Sequence, residues 1–138
     1  MTTDDLVEEL LMTFDTITVV GASNAPYKAA HTVPAHMQRQ GWRIVPVNPH
    51  EQTILGEPVY ATLAEVPESL GLVDLFRPSE DCAGFAEQAV ASGAKALWLQ
   101  LGIRSAAARR IAEDAGLRYV EDRCLVIEQR RLGISAPR

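Results

Sequence analysis

The chain is poor in positive charge, in cysteine and in aromatics, and it has no long apolar run. Lysine and arginine number 13 against 18 acidic residues, a formal net charge of −5, which is the wrong balance for non-specific nucleic-acid binding. The two cysteines, Cys82 and Cys124, form no CxxC and no His/Cys cluster, so neither a metal motif nor a disulfide framework is expected. Two free thiols and a reducing, cytoplasmic setting fit that count. No apolar stretch approaches the ~20 residues a membrane span needs. The first residues, with Asp4, Asp5, Glu8 and Glu9, are acidic where a secretory signal would be basic. There is no Gly-x-Ser-x-Gly elbow, no P-loop lysine motif and no paired-carboxylate motif. His31, His36 and His50 stand in no metal-ligand pattern. No catalytic machinery is expected.

What is present is an ordinary globular composition, 47% hydrophobic and 22% charged over 138 residues, which predicts one domain spanning residues 1–138. Short β-branched runs alternate with helical windows. Strands are expected at Ile17–Val20, Arg43–Val47, Val73–Phe76, Ala96–Leu101 and Leu117–Val120, with a further extended piece near Val59-Tyr60. Helices are expected at Thr3–Met12, from about Thr32 to Arg39, at Glu80–Ser92 and at Ala106–Ala115. Pro34 is placed in the first turn of its helix, where a missing N–H is tolerated, and Ser105 reads as an N-cap. The alternation predicts βαβ units, hence an α/β, Rossmann-like, doubly wound and mostly parallel sheet of about five strands in three layers. In such folds ligands bind beyond the carboxyl ends of the strands.

Each of those ends carries an unusual residue. After the first strand come Gly21, Ala22, Ser23 and then Lys28: a glycine turn, a hydroxyl and a cation, a set suited to a pyrophosphate. The dinucleotide fingerprint GxGxxG is broken, because Ser23 and Pro26 hold its second and third glycine positions. The second strand ends in Val47-Asn48-Pro49 with no carboxylate for a ribose diol; Glu51 comes only after His50. NAD is disfavoured on both counts. Phe76-Arg77-Pro78 ends the third strand with an aromatic ring and a cation. Gln100 is a polar residue inside an apolar strand that runs on to Gly102. Asp122 and Arg123, adjacent after the fifth strand, are expected to pair or to cap the final segment.

Taken in order, Val19-Val20-Gly21-Ala22-Ser23, Val45-Pro46-Val47-Asn48-Pro49, Val73-Asp74-Leu75-Phe76-Arg77, Leu97-Trp98-Leu99-Gln100-Leu101-Gly102 and Asp122-Arg123-Cys124 resemble the small stand-alone CoA-binding proteins of bacteria and archaea. These are relatives of the CoA-binding domain of the succinyl-CoA synthetase alpha subunit, and the likeness runs from about Leu6 to Gly133. The resemblance implies a Rossmann-like fold with coenzyme A at the strand ends. Its phosphates would lie on Gly21, Ala22, Ser23 and Lys28. Val47, Asn48 and Pro49 would border the adenosine, Phe76, Arg77 and Pro78 would line the other wall, and Gln100 and Gly102 would face the site. Ala29-Ala30 stand where the family usually carries a serine. The synthetase's phosphate-carrying histidine belongs to a different domain, so the resemblance implies binding without catalysis.

Three readings follow. The first is a module that binds CoA or an acyl-CoA. The second is an enzyme using a nucleotide cofactor of the NADP type, whose extra phosphate also tolerates a missing carboxylate. The third is an interaction subunit needing no ligand, in which the leading helix and the tail from Leu125 to Ile134 dock on a partner unless they cover the domain's own sheet. A narrower expectation is a mixed disulfide between Cys124 and the CoA thiol.

Overall fold

The alternating apolar segments become one parallel sheet between two helical layers. The computed structural model describes residues 1–137. Five strands, β1 (Thr16–Val20), β2 (Arg43–Val47), β5 (Leu72–Leu75), β6 (Ala96–Leu99) and β7 (Arg118–Val120), stand in the order β2-β1-β5-β6-β7, all parallel. The order reverses after β2, so the switch point lies between β1 and β5, where a doubly wound sheet opens its crevice. A two-stranded hairpin, β3 (Thr53–Ile54) with β4 (Glu57–Pro58), lies outside this sheet.

Strands buried on both sides explain their near-continuous apolar sequences. On one face Val20, Val45, Val73, Leu75, Leu97 and Leu99 pack with α3 (Cys82–Ala91) and α4 (Ala106–Asp114). On the other, Ile17, Val19, Ile44, Leu72 and Trp98 pack with α1 (Thr3–Thr13), α2 (Ala29–Arg39) and α5 (Leu125–Leu132). The fully buried Val7, Leu10 and Leu11 of α1 and Leu125 of α5 belong to this second core. The leading helix and the tail therefore cover the domain's own sheet, as the alternative to a docking role required.

Caps follow the sequence. Thr2 and Asp5 form a reciprocal capping box at α1, and the Ser105 hydroxyl accepts from the Ala108 N–H at 3.0 Å to open α4. Three expectations need correction. α2 begins at Ala29 rather than Thr32, so Pro34 lies in its second turn. Its missing N–H frees the Ala30 carbonyl, which accepts the Ser23 N–H at 3.2 Å instead. β6 stops at Leu99, two residues short, as the chain turns through Gly102 at φ +85°. The expected extended piece at Val59-Tyr60 is a single parallel bridge from Tyr60 to Val47. The hairpin before it turns through Leu55 and Gly56, both at positive φ, the geometry of a tight type I′ turn. A leucine in that position hides the turn from sequence reading.

Among the described residues no helix is long and apolar enough to cross a membrane, and both cysteines are free.

Candidate functional site

A cleft of about 570 Å³ opens over the switch point. The ends of β1, β2 and β5 form its floor with Val20, Gly21, Val47 and Phe76. Ser23, Lys28 and Ala30 form one wall, and Asn48, Pro49 and His50 another. Arg77 and the α3 residues Phe85 and Gln88 close the third side, and Ala61, Thr62 and Leu63 are carried in by the Val47–Tyr60 bridge.

Gly21 is required by space. Its φ is +87°, and a β-carbon there would stand 2.7 Å from the Phe76 carbonyl oxygen and 3.2 Å from Arg77 Cδ. Its N–H does not face the cleft; it extends the sheet by donating to the Val47 carbonyl at 2.9 Å. The Ser23 hydroxyl accepts from the Ala25 N–H at 3.0 Å, and His31 Nδ1 donates to the Ser23 carbonyl at 2.8 Å. The loop is thus braced by its own bonds. Its unengaged donors lie at the start of α2: Lys28 is the N-cap, without a side-chain capping bond, and no hydrogen bond among the described residues engages the N–H of Ala29 or Ala30. A helix start of this kind with a lysine beside it can accept an anion. Backbone donors stand where the family's serine would be.

Asn48 is a brace as well. Its amide donates to the Ala22 carbonyl at 2.8 Å, and its Oδ1 accepts from the His50 N–H at 2.8 Å, tying the loop after β1 to the turn after β2. Arg77 lies 3.6 Å from Asp81 and 6.0 Å from the centre of the Phe85 ring. Both partners leave its guanidinium at the surface, so the ion pair is weak.

Of the residues singled out from the sequence, Gly21, Ser23, Lys28, Val47, Asn48, Pro49, Phe76 and Arg77 meet in this cleft. Four stand apart from its lining. Ala22 is fully buried in the core beneath α1, α2 and α5. Pro78 is exposed and starts the turn before α3. Gln100 is buried, and its Oε1 has no partner. Gly102 gives its N–H to Asp122 Oδ1 at 2.7 Å. Asp122 turns through a left-handed φ of 57° and binds Arg104 at 2.5 Å. The Gly102 N–H first, and then Arg104, hold its carboxyl below the ordinary range. Asp122 and Arg123 do not pair; Arg123 reaches Asp4 at 2.8 Å and Glu128 at 2.5 Å. Cys124 is half-buried and packs on the α5 face of the sheet, outside the cleft lining.

Sequence reasoning missed Ala61, Thr62 and Leu63, which reach the cleft only through a one-residue bridge, and Gln88. Phe85, missed as well, stands three positions before Gln88 and so shares one helical face with it. None of the lining residues is Asp or Glu.

Comparison with known proteins agrees with this architecture. Residues 15–130 match the family model described as CoA binding domain. The chain is 31% identical to the uncharacterized protein YneT of Bacillus subtilis (strain 168) over 121 residues, 88% of this chain and 90% of that one. It superposes on the cell-free ID.343 protein of Thermus thermophilus with a TM-score of 0.89 and 35% identity, covering 96% of this chain and 99% of that one. A hypothetical protein from Pyrococcus horikoshii OT3 gives a TM-score of 0.90 and 33% identity, covering 96% and 92% of the two chains. With fold, rim and matched residues in agreement, the chain belongs to the CoA binding domain family.

Proposed function

We propose that the protein binds coenzyme A, free or acylated, in the cleft over Gly21 and performs no chemistry on it. One observation carries this reading: in a chain with more acidic than basic residues, the cleft at the switch point is lined by Lys28, Arg77 and His50 and by no carboxylate. A polyanion entering it meets cations and helix N–H groups, and the carboxylate beside it, Asp81, stands behind Arg77 outside the lining. The pyrophosphate rests on Lys28 and the first N–H groups of α2, and the adenosine lies between the turn after β2 and the Phe76 side. No side chain of the cleft forms a nucleophile–base pair: the Ser23 hydroxyl accepts a backbone N–H, and His31 is spent on the Ser23 carbonyl.

Isothermal titration tests the reading. Coenzyme A is expected to bind with a micromolar or tighter Kd, and Lys28→Ala or Arg77→Ala to weaken it about tenfold each, the worth of one charge-assisted hydrogen bond. NADPH at the same concentration should leave its own fluorescence unchanged. Absence of heat at high micromolar CoA, or binding indifferent to both substitutions, refutes the proposal.

A further inference from the structure

The three basic groups of the cleft do not share one place. Sheet order sets β2 at the edge, then β1, then β5, so His50, Lys28 and Arg77 stand in that sequence across the rim. Lys28 caps α2 beside the loop that suits a pyrophosphate, and Arg77 packs close to Gly21 from the end of β5. His50 alone follows β2, the strand whose end reads the ribose in folds of this kind. Its backbone N–H is fixed by Asn48, while no hydrogen bond among the described residues engages its ring.

The carboxylate next in sequence, Glu51, would spoil such a site. It lies outside the cleft lining. The Asn24 amide donates to Glu51 Oε2 at 2.9 Å and to the Thr53 carbonyl at 2.9 Å, so the loop after β1 holds Glu51 against the start of the hairpin. A free carboxylate there would accept the hydroxyls of an unmodified ribose and repel a phosphorylated one.

We infer that His50, together with the Asn24–Glu51 latch, makes this cleft select a nucleotide whose ribose carries a phosphate. His50 donates to that phosphate, and Asn24 keeps the competing carboxylate away from it. This rests on the CoA reading above and goes on to say which part of the ligand is discriminated, and by which residues.

Coenzyme A and 3′-dephospho-CoA, which differ only in that phosphate, are the probes, titrated into the wild-type chain and three variants. The wild type should prefer CoA by about tenfold or more. His50→Ala should remove that preference by weakening CoA while changing dephospho-CoA less than about twofold. Asn24→Ala should weaken CoA several-fold and leave dephospho-CoA equal or tighter, and the double variant Asn24→Ala with Glu51→Gln should restore CoA binding. Equal wild-type affinity for the two ligands, or a His50→Ala loss shared by both, overturns the inference while leaving CoA binding intact. A double variant that stays as weak as Asn24→Ala removes the latch. Binding of neither ligand to the wild type defeats the CoA reading itself, and this inference with it.

Discussion

Asp74 is wholly buried in the middle of the sheet, and neither of its carboxyl oxygens has a hydrogen-bond partner. It pairs in register with Trp98 of β6. Gln100, just beyond the end of β6, is buried too, and its Oε1 is unpartnered. Both Asp74 oxygens are thus buried acceptors in an apolar layer. Burial alone pushes the Asp74 carboxyl well above the ordinary range, because a charged carboxylate is disfavoured away from water. The consequence for stability has a definite sign. Below the ordinary value of 3.8 both native and unfolded forms are protonated, and the stability is complete. As pH rises above that value the unfolded chain ionises first, and the folding equilibrium loses about tenfold per pH unit until the native carboxyl titrates. Asp74→Asn, an isostere carrying a permanent donor, removes that slope. Each pH unit over which only the unfolded chain ionises gives the variant about 1.4 kcal/mol, so it should be the more stable of the two at pH 7, with the higher Tm. Asp4, Asp5, Asp122 and Glu128 have lowered values. Their contributions are lost only as pH falls below the ordinary carboxylate range, so they do not mask the effect. Urea denaturation of both proteins from pH 4.5 to 8, with equal m-values, measures it. Parallel stability curves, or an asparagine variant less stable at pH 8, would refute the argument.

Two further substitutions probe the frame around the cleft. Gly21→Ala forces a β-carbon to within 2.7 Å of the Phe76 carbonyl at a φ of +87°; it should cost more than about 2 kcal/mol and abolish CoA binding, read by thermal melting and titration. Retention of both would mean that the loop after β1 can shift at no cost. Glu128 is only 4% exposed and bridges Arg123 at 2.5 Å and Arg131 at 2.8 Å. Burial raises its carboxyl, but the hydrogen bonds from Arg131 and Arg123 prevail and hold it below its ordinary value. Glu128→Ala leaves two arginines facing each other between α5 and the start of α1, and should destabilise by about 2 kcal/mol, since the arginines are partly solvated; a change below half of that in urea denaturation would show the network to be idle.

How far the sequence leads, and where it stops, follows from the range of the forces involved. Strand and helix identity is written in local periodicity, so the β-branched runs at residues 17–20 and 43–47 and the Ser105 cap are legible. So is the rim, because a parallel sheet places every strand end on one edge, and Gly21, Lys28, Asn48 and Arg77 needed only that rule to be brought together. What a residue does once there depends on partners distant in the chain. Gly21 was read as freeing an N–H for an anion; it is needed because Phe76 and Arg77 press against it from β5. Asn48 was open to either backbone or ligand, and the loop beside it takes both its donor and its acceptor. Gln100 was assigned to the site by the resemblance; it is buried outside the cleft lining with its Oε1 unpartnered.

The same division explains why the unengaged donors at the start of α2 are visible only in three dimensions. Pro34 withholds one N–H from α2, the released Ala30 carbonyl takes the Ser23 N–H, and that bond fixes the loop after β1 over the first turn of the helix. The donors left unengaged at Ala29 and Ala30 are those that this closure does not use. A proline placed five residues beyond the start of the helix thus shapes the loop that lies over its first turn. Nothing in the local pattern around Pro34 encodes this, because the carbonyl it releases and the amide that claims it lie on different segments of the chain.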